Sequence, residues 1–306
     1  MNILLKLLSP GIIGIVAVFL SIVWMLRNER DKTRPLLVFA LILNLFYGWL
    51  LTVALGREDS LLPWKFDLVL FRIDGALGIS AASIALPLQG AWRIPLNVVY
   101  QLMVPMMVLW FLIVREPGRR KSVILAYIAE MVAGPMLYAI LPACGPIYAF
   151  GARWLHPQDV EAHAIRFSGM PNAFPSLHVG TAFIFVLTAK GKLWRGVSLL
   201  FLLATALATL ATGEHFVIDL VAGLVFGCFA MNAGCGRVRL AALFLGIGLL
   251  WSLTIRIGYT AMIETPLLVR SMALLTLAIA VWAVWKEWGQ ARELIMSRAL
   301  EAAESS

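Results

Sequence analysis

The chain is short of charge. Only 14% of its 306 residues are Asp, Glu, Lys or Arg, where a soluble domain carries about one quarter. It is also short of cysteine. The three present, Cys144, Cys228 and Cys235, have neither metal-ligand spacing nor a shared membrane face, which excludes a disulfide framework. There is no internal repeat and no low-complexity tract, so solenoids and disordered linkers are excluded too. No cleavable signal is expected: Met1 to Pro10 holds one Lys and runs straight into an apolar segment.

What is abundant is hydrocarbon. Hydrophobic residues make up 61% of the chain and the mean hydropathy is +0.88. The apolar residues fall in runs long enough to cross a bilayer. They are Gly11–Met25, Pro35–Leu55, Ile94–Val114, Ser122–Leu141, Ser176–Ala189, Gly196–Ala211, Phe216–Asn232, Leu240–Met262 and Pro266–Trp285. The expected fold is therefore all-α: a polytopic transmembrane bundle of about nine spans. Residues 1–306 read as one integral membrane domain, with a catalytic core at 35–232 and a cytoplasmic tail at 286–306.

The net charge of +8 does not point to nucleic acid. Most of the Lys and Arg cluster after alternate spans: Arg27 to Arg34, Arg115 to Lys121, Lys190 to Arg195, Arg237 with Arg239, and Lys286 to Arg298. Basic loops mark the cytoplasmic face. The stretches 57–93 and 142–175 are then expected outside. Leu61 to Leu88 carries Lys65, Asp67, Arg72 and Asp74, too many charges for a bilayer centre. It reads as an interfacial or re-entrant helix whose carboxylates pair with cations. The tryptophans and tyrosines read mostly as interface anchors. Glu130 and Asn44 stand inside spans with no assigned role.

Two segments carry chemistry. Gly169 to Gly180 contains Pro175-Ser176-Leu177-His178, and Thr212 to Gly223 contains His215 and Asp219. Each opens a span, and both spans start on the face opposite the basic loops. His215 and Asp219 are four apart and share a helical face. Ionisable groups at this depth read as a site by default. Two helix amino termini and the Ser176 hydroxyl would form an anion pocket. Two imidazoles can act as nucleophile and acid–base partner, and a carboxylate can orient one of them. A phosphate at lipid headgroup depth fits that set. A metal centre from His163, His178, His215 and Asp219 is the competing reading, but there is no two-His helical motif, and none is expected.

The Pro-Ser-Leu-His and His-x-x-x-Asp elements, 37 residues from histidine to histidine, resemble the type 2 phosphatidic acid phosphatase superfamily. Leu177, in place of Gly, and Leu141-Pro142-Ala143-Cys144-Gly145-Pro146-Ile147-Tyr148 resemble its inositol phosphorylceramide synthase-like branch. The resemblance covers about Ser122 to Asn232 and implies a six-helix core. It implies that His215 attacks phosphorus, Asp219 orients it, and His178 protonates the leaving alcohol, without cofactor or metal. Two features depart from the pattern. Ala208 and Thr209 stand where the superfamily has Ser-Arg before the second His. Arg27-x6-Arg34-Pro35 mimics an upstream element but falls on the cytoplasmic side. Replacement cations on the outer face are Arg166, then Arg153, Lys65 and Arg72.

The expected activity is phosphotransfer from a phospholipid or polyprenyl phosphate, with an alcohol acceptor slightly favoured over water. A lipid or polyprenyl-phosphate phosphatase is the alternative. A non-enzymatic lipid transporter or flippase is the alternative of another class, although it would not need two histidines and a carboxylate. The expected location is a bacterial inner membrane, with the site on the extracytoplasmic face.

Overall fold

The structure is a computed structural model that describes residue 53 and residues 65–114, 116–156 and 170–304. The predicted span Gly11–Met25, all of Pro35–Leu55 but residue 53, and the loop residues His163 and Arg166 lie outside the described residues.

The described residues form helices and no strand. In chain order they are α1 (Asp67–Leu77), α2 (Ala81–Ala85), α3 (Arg93–Gln101), α4 (Met103–Ile113), α5 (Pro117–Ile140), α6 (Pro146–Phe150), α7 (Leu177–Thr188), α8 (Gly191–Thr212), α9 (Val217–Gly234), α10 (Val238–Glu264) and α11 (Pro266–Glu304). Five are long and apolar enough to cross a bilayer: α5, α8, α9, α10 and the first part of α11, to Gly289. Two bent pairs raise that to seven if each counts as one span.

Of the seven predicted spans that fall among the described residues, five are long apolar helices and two differ for local reasons. The predicted span Ile94–Val114 is α3 and α4, bent by 53° at Leu102. Pro105 accounts for the break, because its ring displaces the carbonyl four residues earlier, at Gln101. The predicted span Ser176–Ala189 is α7, only twelve residues. At 1.5 Å per residue it rises about 18 Å, short of a hydrocarbon core of about 30 Å. The stretch at 61–88 yields α1 and α2, joined at 74°. Gly78 ends α1 in the left-handed region (φ 84°), and the Ser80 hydroxyl caps α2 by accepting from Ser83 N.

Helix α9 is the centre. It packs on α7, α10, α5, α11 and α1, and 83% of its spanning window is buried, against 28% for α8. Helix α7 lies beside it, with every residue from Val179 to Thr188 buried. Glycine sets their separation. A Cβ at Gly223 would strike the Ser176 carbonyl, and one at Gly227 the Gly180 carbonyl. Small residues four apart allow such approach between membrane helices. This contact places the start of α7 against the start of α9.

The basic loops gather at the other end of the bundle. Lys190 bonds Glu116, Arg237 bonds Glu287, and Arg119 donates to the Leu187 carbonyl at 3.1 Å. Not every tryptophan is an interface anchor. Trp110 and Trp251 are 1% exposed and donate to Thr188 at 2.8 Å and Thr276 at 3.0 Å, which satisfies the indole N–H inside the bundle.

Candidate active site

Two buried carboxyl groups on α1 hold the segments that carry the site. Asp67 and Asp74 are seven apart and share one helical face. They were expected at an interface, paired with cations. Instead they are 0% and 1% exposed and take backbone N–H groups. Asp67 accepts from Cys144 N at 3.0 Å and Gly145 N at 2.8 Å. Asp74 accepts from Val217 N at 2.8 Å and Ile218 N at 3.1 Å. The second pair are orphan donors at the start of α9. Asp219 takes the next one, Phe216 N, at 2.7 Å. Three donors expected to face an anion at this helix start are thus already satisfied by protein.

From Asp67 a chain of contacts leads to His215. The loop it holds accepts Ala173 N at the Ala143 carbonyl (2.8 Å), and the Ala173 carbonyl lies 2.8 Å from His215 Nδ1. Gly145 (φ 96°) closes the loop on residues 213–214, where a Cβ would collide with the Glu214 carbonyl. A carbonyl only accepts, so Nδ1 carries the proton and Nε2 keeps its lone pair; this tautomer is inferred from the bonding. Asp219 Oδ2 is farther from Nδ1, at 3.4 Å. The close orienting partner is therefore the Ala173 carbonyl, with Asp219 behind it.

His178 stands on the first turn of α7, its ring stacked on Tyr100 at 4.2 Å and 19°. The His178 and His215 rings are 6.3 Å apart, centre to centre, at 62°. Both line one cavity of 160 Å³. Met103, Val104, Met107, Met131 and Leu177 supply its apolar wall, and Tyr100, Glu130, Tyr138, Asn172, Thr181 and Glu214 the polar one. Burial holds the His215 imidazole down at about 4, against the opposing pull of Glu214 and the Ala173 carbonyl. It is neutral at pH 7, the form that can attack. Burial also raises the Glu214 carboxyl above its ordinary range, opposed by the Tyr148 hydroxyl, which donates to it at 2.9 Å.

The predicted phosphate ligands are placed differently. Ser176 is fully buried and caps α7, accepting from Val179 N at 3.4 Å. Neither it nor Lys65, Arg72 or Arg153 lines the cavity, and Arg166 lies outside the described residues. Among the described residues no group of three or more His, Cys, Asp or Glu could hold a metal ion. Sequence reasoning missed Tyr100, Glu214 and Arg93. Arg93 lines a neighbouring cavity of 410 Å³ together with Asn97, Tyr148 and Glu214, so Glu214 borders both. Helix α3 sets Tyr100 against His178, and its Arg93 and Asn97 line the neighbouring cavity. Glu130, unexplained in the sequence, is in the cavity wall.

A family model described as the PAP2 superfamily matches residues 68–233. No curated protein and no solved structure matches the chain.

Proposed function

The chain belongs to the PAP2 superfamily, and from that premise we propose that it is a lipid phosphotransferase or phosphatase working through a phosphohistidine. The observation that carries the reading is the pair of imidazoles facing across one cavity, with His215 Nδ1 bound to a carbonyl. His215 Nε2 attacks phosphorus. His178 takes up a proton from solvent as the anionic phosphate binds, and as the P–O bond to the lipid alcohol breaks it gives that proton to the leaving oxygen. Neutral His178 then takes the proton of an incoming hydroxyl, whose oxygen displaces His215 from phosphorus. Such positioned acid–base help contributes about 10² to 10⁴ in rate. Asp219 and the Ala173 carbonyl steady His215 as it gains charge.

Donors to the phosphoryl oxygens supply further stabilisation. Asn172 in the cavity and Arg93 beside it join Ser176, Arg166, Arg153, Lys65 and Arg72 as candidates. The scheme uses no metal, because two imidazoles perform both steps. The donor is a phospholipid or polyprenyl phosphate. An alcohol acceptor is slightly favoured over water, from the likeness of Leu177 and the Leu141 to Tyr148 loop to the synthase-like branch. The reading puts the site on the extracytoplasmic face of a bacterial inner membrane, and the basic clusters at the opposite end of the bundle support that orientation.

The test is a donor lipid labelled with radioactive phosphate. Wild type retains acid-labile label on the protein, and His215→Ala retains none. Unchanged turnover by His215→Ala would overturn the reading. Product analysis with candidate alcohols present and absent decides between transfer and hydrolysis.

A further inference from the structure

Glu130 is the buried carboxyl group that the catalytic scheme does not use. It lies mid-way along α5, deep in the bundle and 3% exposed. An ionisable group at such a position is costly and marks function by default. One oxygen, Oε2, accepts from Thr181 Oγ1 at 2.7 Å. The other, Oε1, is buried with no hydrogen-bond partner among the described residues. It rests against Gly180, where a Cβ would collide with it. An unmade bond on a buried polar group costs about 1–3 kcal/mol, so this arrangement invites a partner.

The cavity shows where a partner would sit. Glu130 and Thr181 both line the space that His178 and His215 face. Thr181 is three residues beyond His178 on one helix, hence on the same face and about 4.5 Å deeper. A group that reached Glu130 would lie just past the oxygen that His178 protonates. That is the alcohol half of the substrate. An ammonium cage is disfavoured, because the Tyr100 face is already covered by His178. Hydroxyl chemistry suits the neighbours Thr181, Tyr138 and Asn172.

We propose that Glu130, backed by Thr181, binds a second hydroxyl on the alcohol that leaves or arrives at His178. The enzyme then selects diol-type lipid alcohols over monools. The inference rests on the phosphoryl-transfer reading, and its test separates the two. The full chain in lipid nanodiscs is given lysophosphatidic acid or its analogue lacking the glycerol 2-hydroxyl. The corresponding two alcohols are also offered as acceptors. Wild type is expected to favour the hydroxyl-bearing member by tenfold or more in kcat/KM, because a site built to bond a hydroxyl rejects the analogue without it. Glu130→Leu and Thr181→Val are expected to bring that ratio close to one. Glu130→Gln, which keeps an acceptor, is expected to retain most of it. A merely structural Glu130 would change both rates together and leave the ratio intact. Equal rates on the pair in wild type overturn the inference without any variant, as does a preference that survives both substitutions. If wild type turns over neither lipid nor either acceptor, this inference is overturned, whereas the phosphoryl-transfer reading falls only if no phospholipid or polyprenyl phosphate donor labels His215.

Discussion

The two ends of the bundle are built from opposite materials. At one end cations meet protein acceptors: Lys190 with Glu116, Arg237 with Glu287, Arg119 with a carbonyl. At the other, carboxyl groups meet backbone donors: Asp67 with the 144–145 loop, Asp74 and Asp219 with the start of α9. The first set includes partly exposed pairs, which are worth little each. The second set is buried, and each bond left unmade there is expensive. The difference teaches that cations hold side chains and helix ends together at one end, while carboxyl groups fix backbone geometry at the other. The histidines sit at the end where backbone is held.

The largest effect that tests this contrast is loss of His215. His215→Ala should lower kcat by at least about 10³, beyond an acid–base contribution alone, measured as phosphate release or transfer. Arg237→Ala, at the basic end, should leave kcat within about threefold of wild type, since Arg237 does not line the histidine cavity. A comparable loss in both would erase the distinction.

Next come the carboxyl groups that hold the site's segments. Asp74→Ala leaves Val217 N and Ile218 N without their acceptor and should cost about 2–3 kcal/mol, read as a lower unfolding midpoint in detergent together with reduced kcat. Asp74→Asn keeps one acceptor oxygen and should lose less. If the alanine variant melts like wild type, the capping role assigned to Asp74 is wrong.

A smaller effect concerns pH. His215 is held at about 4, below its ordinary 6.5, with burial the main cause. In the proposed mechanism the neutral imidazole is the nucleophile, so attack is expected to persist as pH falls through 6.5 and to fail only near 4. The acid limb of kcat/KM, which reports the free enzyme, should therefore lie near pH 4. The same depression has a consequence for stability: it is full above 6.5 and declines as pH falls towards 4, where the unfolded chain binds the proton first. An acid limb at 6.5 would mean a solvated His215.

The smallest expected effect is at the basic end itself. Removing the Arg237 and Glu287 pair should change stability by less than about 1 kcal/mol, measured by a double-mutant cycle. A larger coupling would show that this end is also load-carrying and narrow the contrast.

The contrast also sorts what was legible in sequence. His178, His215 and Asp219 stood out because polar residues are rare in so apolar a chain, and their spacing carried the family likeness. The matched region, residues 68–233, contains all three. Asp67 and Asp74 misled, because carboxyl groups near Lys65 and Arg72 suggest ion pairs. Their hydrogen bonds come from backbone N–H groups in segments far along the chain, which no local pattern announces, while the charge of Lys65 also acts on Asp67. The anion pocket expected at α9 failed for the same reason. Pro105 could have flagged the bend between α3 and α4, but an unbroken apolar run concealed it. The short α7 was counted as a span because composition reveals burial without revealing whether lipid or protein supplies it.

The most direct measurement is to quench the enzyme during turnover under alkaline conditions and map the phosphorylated residue by mass spectrometry. The account predicts phosphate on the His215 imidazole. Phosphate on His178, or steady turnover with no phosphoenzyme at any time, would contradict it.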